Sequence, residues 1–177
     1  PTGAKPSADA STYYFLLSLK TVATDWQEIL QLAGEILRSP SFPETEVELE
    51  KHLTIQDIRS QKEQPFTIAF EQLRRTMYQN HPYTLTVLGT EETVSNLNRA
   101  DLENFHQTYF RPDNIVISIA GRITPEAAVA QIDRLFGDWQ PVEGGLTAPT
   151  LPSLIVQPCQ VPTPPDPPPA IVSRGYL

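Results

Sequence analysis

The chain has 177 residues, 40% of them apolar and 19% charged, which is enough to bury a core in one domain or slightly more. A net charge of −8 with no run of Lys or Arg argues against a nucleic-acid partner, and the single cysteine, Cys159, rules out a disulfide framework or a cysteine-based metal site. No apolar run is long enough to span a membrane, and from the start at Pro1 without a methionine the chain is expected to be a piece of a longer protein.

Tyr13 to Val22 is aromatic, apolar and partly alternating, which predicts a strand. Thr24 or Asp25 can cap a helix whose apolar residues Trp26, Ile29, Leu30, Ala33, Ile36 and Leu37 follow three-and-four spacing, with Ser39-Pro40 as its stop. Pro43 suits a first helical position, and Glu44 and Glu46 favour the positive end of a long helix reaching Gln64-Pro65. A further helix from about Phe66 to Gln79 is expected to bury Ile68, Ala69, Leu73 and Met77.

After the loop Asn80-His81-Pro82-Tyr83, Thr90 can cap a short helix through Leu97. Asn98 with Asp101 resembles a capping box for a helix to about Phe110, closed by Pro112. Asn114 to Gly121 is short, β-branched and bounded by turn residues, and predicts a strand; Thr124-Pro125-Glu126 then opens an amphipathic helix stopped by Gly137. Half of the 18 prolines lie between Pro149 and Pro169. The division expected is therefore a body over 1–140, a proline-rich linker over 141–169 and a starting strand over 170–177.

Seven residues separate Glu50 from Asp57 on the long helix, about two full turns, so both acids project from one face about 10 Å apart along the axis. Two acids so placed can serve a metal or simply mark a solvated surface. Acid–base catalysis by the pair would need help from another element, since carboxylates stacked along one helix do not converge on one bond. The histidines His52, His81 and His106 lack the four-residue spacing of helical zinc ligands, and His52 turns away from the acids. They are expected to be solvated or hydrogen-bonded. There is no phosphate-binding glycine loop and no Gly-x-Ser-x-Gly elbow. His81-Pro82-Tyr83 reads as a structural turn before a binding loop, and Trp26 and Trp139 as packing residues.

A series of short motifs carries a resemblance that the isolated residues do not. It runs Leu49-Glu50, Asp57-Ile58, Gln64-Pro65, His81-Pro82-Tyr83, Leu88-Gly89-Thr90-Glu91-Glu92, Asp101-Leu102 with Phe105, Tyr109 to Asn114, Ala120-Gly121-Arg122 and Phe136-Gly137-Asp138-Trp139. In this order and spacing the series resembles the pitrilysin/insulinase family of zinc metallopeptidases, the group that includes mitochondrial processing peptidase, from about Ser7 to Trp139. The resemblance implies an α+β fold, with helices on one face of a mixed, mainly antiparallel sheet, and an incomplete half of a two-half protein.

Such enzymes build their zinc site on an inverted His-x-x-Glu-His helix, which is absent from this sequence and would precede Pro1. By the resemblance, Asp57 stands at the position of the third zinc ligand and Glu50 lies beside the site. Family members usually carry glutamate at both positions. Aspartate is one methylene shorter, a shortfall of about 1 to 1.5 Å against zinc–oxygen distances of about 2.0 to 2.2 Å. Two readings follow: a fragment of a peptide-cleaving zinc metallopeptidase, inactive by itself, or a non-catalytic subunit that binds peptide and assists assembly. Either implies a peptide or unfolded-protein substrate and pairing with a second α+β half or homologous subunit. An accidental likeness in a small α+β protein is the third alternative.

Overall fold

A computed structural model describes residues 3–141, 144–146 and 150–152. Most of the linker expected over 141–169 lies outside these residues, and the strand expected over 170–177 lies entirely outside them. The described part is α+β: six α-helices, two single 3-10 turns and one two-stranded antiparallel sheet. It divides into two units, one made of residues 3–44 with the described residues from 98 to 146, the other built on residues 45–97.

In the first unit, strand β1 (Lys5–Ala10) pairs with β2 (Phe15–Lys20) in a register from Lys5 opposite Lys20 to Ala10 opposite Phe15. Ser11 closes the hairpin: its Oγ accepts from the backbone N–H groups of Tyr13 and Tyr14, both at 3.2 Å. Helix α1 (Trp26–Arg38) buries Ile29, Ala33 and Gly34. Helix α6 (Pro125–Phe136) meets it beside Gly34, where a Cβ would make ordinary contact with Phe136 Cζ at 3.6 Å. Thr24 hydrogen-bonds the Asp25 carboxylate at 2.6 Å, so Asp25 holds the N-cap position without capping through its side chain.

Helix α5 (Arg99–Tyr109) begins at the capping box expected for Asn98 and Asp101. It presents His106 to an aromatic group: the imidazole stacks on Phe110 at 4.8 Å and meets the edge of Phe42 at 6.1 Å. Its Nε2 also donates to the Leu37 carbonyl at 2.8 Å, tying α5 to the end of α1. Phe42 adopts φ +40°, a left-handed conformation rare for a bulky residue.

One expected strand does not form. Pro112–Asn114 make a 3-10 turn, and residues 115–120 run on outside any ladder, with Val116 95% exposed. Ile115 has extended dihedrals, φ −118° and ψ 134°, so the local preference for extension is expressed. Among the described residues no neighbouring strand is available to it: β-branched composition reports fitness for a pleated surface, and β1 and β2 pair with each other.

The second unit is helical. Helix α2 (Glu44–Lys62) starts one residue after Pro43, and its buried residues are Val47 and Ile58. Helix α3 (Pro65–Tyr78) follows with Gln64 extended at its N-cap and Pro65 as its first residue. The burial expected on α3 is not achieved: Ile68 is exposed, while Ala69, Leu73 and Met77 are half-buried. Their helical spacing is sound, but no described element covers that face fully. A 3-10 turn, Pro82–Thr84, leads to helix α4 (Glu91–Asn96), whose capping box joins Thr90 and Thr93 and whose Val94 is buried. Among the described residues no helix is long and apolar enough to cross a membrane.

Candidate functional site

Helix α2 lies with Val47 and Ile58 against its unit as its buried residues, with Lys51, Thr54 and Ile55 half-buried on the same side. Measured around the axis from Asp57, Ile58 stands at about 100° and Val47 at about 80°, while Glu50 stands at about 20°. Glu50 and Asp57 therefore share one exposed flank, as the seven-residue spacing requires. Neither carboxylate has a hydrogen-bond or ion-pair partner among the described residues. Uncommitted acids of this kind keep their oxygens available to a cation or a donor from outside the helix.

None of the histidines joins them. His52 is exposed on another part of α2, its Nε2 3.1 Å from the Gln56 amide nitrogen. His81 is buried at the base of its turn, where Nδ1 accepts from the Tyr83 N–H at 3.2 Å and the ring packs between Tyr78 and Tyr83. His106 is held by Leu37 in the first unit. Trp139 packs as well, stacked on Phe136 with the Arg38 guanidinium 5.8 Å from its ring centre. Trp26 is half-buried at the start of α1.

A zinc centre needs about three protein donors. Among the described residues no three His, Cys, Asp or Glu side chains converge. The α2 flank thus supplies a carboxylate or two to a site and does not make one up; no chemical step at a metal follows from these residues.

The other flank of α2 is occupied. Arg59, at about 200° from Asp57, donates through Nε to Glu91 Oε2 at 2.9 Å, and Lys62, at about 140°, donates to Oε1 at 2.7 Å. These bonds, Lys62 first and then Arg59, hold the Glu91 carboxyl below its ordinary range. Sequence reasoning missed this contact because the partners lie 32 and 29 residues away. A signal was present in the Leu88-Gly89-Thr90-Glu91-Glu92 motif, which places an acid on the first turn of a capped helix. Beside the contact a groove of about 420 Å³ opens between α2, α3 and the Thr86–Thr90 turn, lined by Ile58, Lys62, Ile68, Arg75 and Gly89 among others.

Comparison with known proteins agrees with the resemblance. Residues 2–91, just over half of the chain, match the profile of the insulinase family, peptidase family M16, and residues 96–174 match that of the peptidase M16 inactive domain. The uncharacterized zinc protease YmxG of Bacillus subtilis is 27% identical over 138 residues, which is 78% of this chain and 34% of that protein. The mitochondrial-processing peptidase subunit beta of Neurospora crassa is 27% identical over 126 residues, covering 71% of this chain and 26% of the relative. The chain thus spans about a third or less of these relatives.

Among solved structures, a protease from Helicobacter pylori superposes with a TM-score of 0.76 at 19% identity, over 85% of this chain and 38% of that one. The peptidase M16 inactive domain from Pseudomonas fluorescens gives 0.71 at 25% identity, over 84% and 37%. The family matches, the relatives and the shared fold lead to one conclusion: this chain belongs to the insulinase family, peptidase family M16.

Proposed function

We propose that the chain is part of a zinc metallopeptidase of this family that acts on peptides or unfolded protein, with α2 as its site-bearing helix. Asp57 contributes one carboxylate ligand, Glu50 stands beside it, and the other ligands and the base come from outside these 177 residues. The observation that carries this reading is the shared exposed flank of Glu50 and Asp57, free of any described partner. The names of the relatives, a zinc protease and a processing peptidase subunit, support it. On this reading the isolated chain hydrolyses nothing, and the working protein needs a second α+β half or a homologous subunit.

The short side chain of Asp57 favours a second reading, a non-catalytic subunit that binds peptide and assists assembly. The coding sequence before Pro1 separates the two: an intact His-x-x-Glu-His segment supports the peptidase, a degraded one the subunit. Zinc affinity of the full-length protein tests the role of α2 directly. Asp57→Ala is expected to weaken zinc binding at least tenfold, and unchanged affinity would remove Asp57 from the site.

A further inference from the structure

The Leu88-Gly89-Thr90-Glu91-Glu92 motif takes no part in the function just described, yet it forms a closely hydrogen-bonded turn. Thr86 Oγ1 donates to the Gly89 carbonyl at 2.8 Å, and the Gly89 N–H returns to the Thr86 carbonyl at 3.2 Å. Gly89 sits at φ +74°, and a Cβ there would stand 2.9 Å from Thr93 Oγ1. The Thr90 N–H donates to Thr93 Oγ1 at 2.9 Å, and the Thr93 N–H to Thr90 Oγ1 at 3.1 Å. Each bond restricts the backbone immediately before Glu91, whose carboxylate reaches α2 from the first turn of α4.

What Glu91 grips is the flank of α2 away from the acids. Val47 and Ile58, with Lys51, Thr54 and Ile55 half-buried beside them, seat the helix along a face centred on the Val47–Ile58 line, and the two ion pairs to Glu91 attach it at one edge of that face. Arg59 and Lys62 lie on the far side of that line from Glu50 and Asp57, and both end on the same carboxylate. A side-chain group stands about 5 to 6 Å from a helix axis, so a roll of about 10° moves it by about 1 Å. Metal–ligand distances tolerate about 0.2 Å. We propose that Glu91 is a positioning residue: through Arg59 and Lys62 it fixes the roll of α2 and so the placement of Asp57. This rests on the reading of α2 as the site-bearing helix.

The test uses two measurements. In the present chain, Glu91→Gln, nearly isosteric, is expected to speed amide exchange over residues 55–62 about tenfold while α5 is unchanged. In the full-length protein, zinc affinity measured by competition with a chromophoric chelator, well below the melting midpoint, is expected to fall about tenfold for Glu91→Gln. The pair Arg59→Gln with Lys62→Gln should reproduce the loss from the other side, and adding Glu91→Gln to that pair should cost nothing more. If Asp57→Ala weakens zinc while Glu91→Gln leaves it within twofold, the positioning role is overturned and the site reading stands. Zinc binding indifferent to Asp57→Ala overturns the site reading and the positioning role with it. Should Glu91→Gln fail to fold, the Arg59 and Lys62 pair decides the same question.

Discussion

Arg38 and Asp138, one hundred residues apart, meet as a two-pronged pair, with Nη1 to Oδ1 at 2.6 Å and Nη2 to Oδ2 at 2.9 Å. Nη1 also donates to the Leu135 carbonyl at 2.7 Å, so one guanidinium closes the end of α6 against the last turn of α1. The fork geometry makes lysine a poor substitute. Arg38→Lys is expected to lower the thermal midpoint more than Asp138→Asn, because lysine also gives up the Trp139 ring face. Equal losses in calorimetry would mean that the ion pair carries the contact by itself.

Acid should loosen both units at their clamps. Arg38 holds the Asp138 carboxyl below its ordinary range, Lys62 and then Arg59 do the same for Glu91, and Arg111 for Asp113. With folded values depressed, the unfolded chain binds protons first as pH falls, so stability is full above the ordinary carboxylate range of about 4 and declines below it. The thermal midpoint is expected to stay level from about pH 7 to 5 and to drop from about pH 4 downward. A midpoint unchanged to pH 2 would show that the three pairs contribute nothing to folding.

Gly89→Ala is expected to destabilise the chain by about 1 to 2 kcal/mol, since alanine must hold a left-handed φ with its methyl against Thr93. Denaturant unfolding reads the effect, and Thr90→Ala at the neighbouring cap should cost about 1 kcal/mol.

Ile58→Ala removes a buried side chain from the face that seats α2 and is expected to cost about 2 to 4 kcal/mol. Glu50→Gln and Asp57→Asn, exposed and without described partners, should change stability by less than about 0.5 kcal/mol. A large loss at either acid would place it in a structural contact and away from a site.

After dialysis the 177-residue chain is expected to retain no stoichiometric zinc by elemental analysis. In the full-length protein Asp57→Glu should hold or raise zinc affinity by restoring the missing methylene, and a large loss would move the ligand position elsewhere.

How much of this was legible in the sequence depends on the range of each interaction. The capping residues Thr90, Asn98 and Asp101 were readable because a cap acts over three residues. The Glu50 and Asp57 flank was readable because helical periodicity is local, although zinc enters only through family resemblance. Strand β1 was not: Lys5-Pro6-Ser7-Ala8-Asp9-Ala10 has no β-branched residue and becomes a strand by pairing with β2. Residues 115–120 failed in the opposite way, having the composition of a strand without a pairing neighbour among the described residues. The grip of Glu91 on Arg59 and Lys62 joins residues about thirty positions apart, beyond any pattern in one sequence.

The stretch at 115–120, unpaired among the described residues, also governs how this polypeptide must be handled. Ile115-Val116-Ile117-Ser118-Ile119-Ala120 carries no charge and no proline, the make-up of a sticky template for another copy of itself. Shelf life of the purified chain should therefore depend on concentration more than on temperature, with light scattering rising as the protein is concentrated. A single Val116→Lys exchange, at a position already open to water, should keep the solution clear.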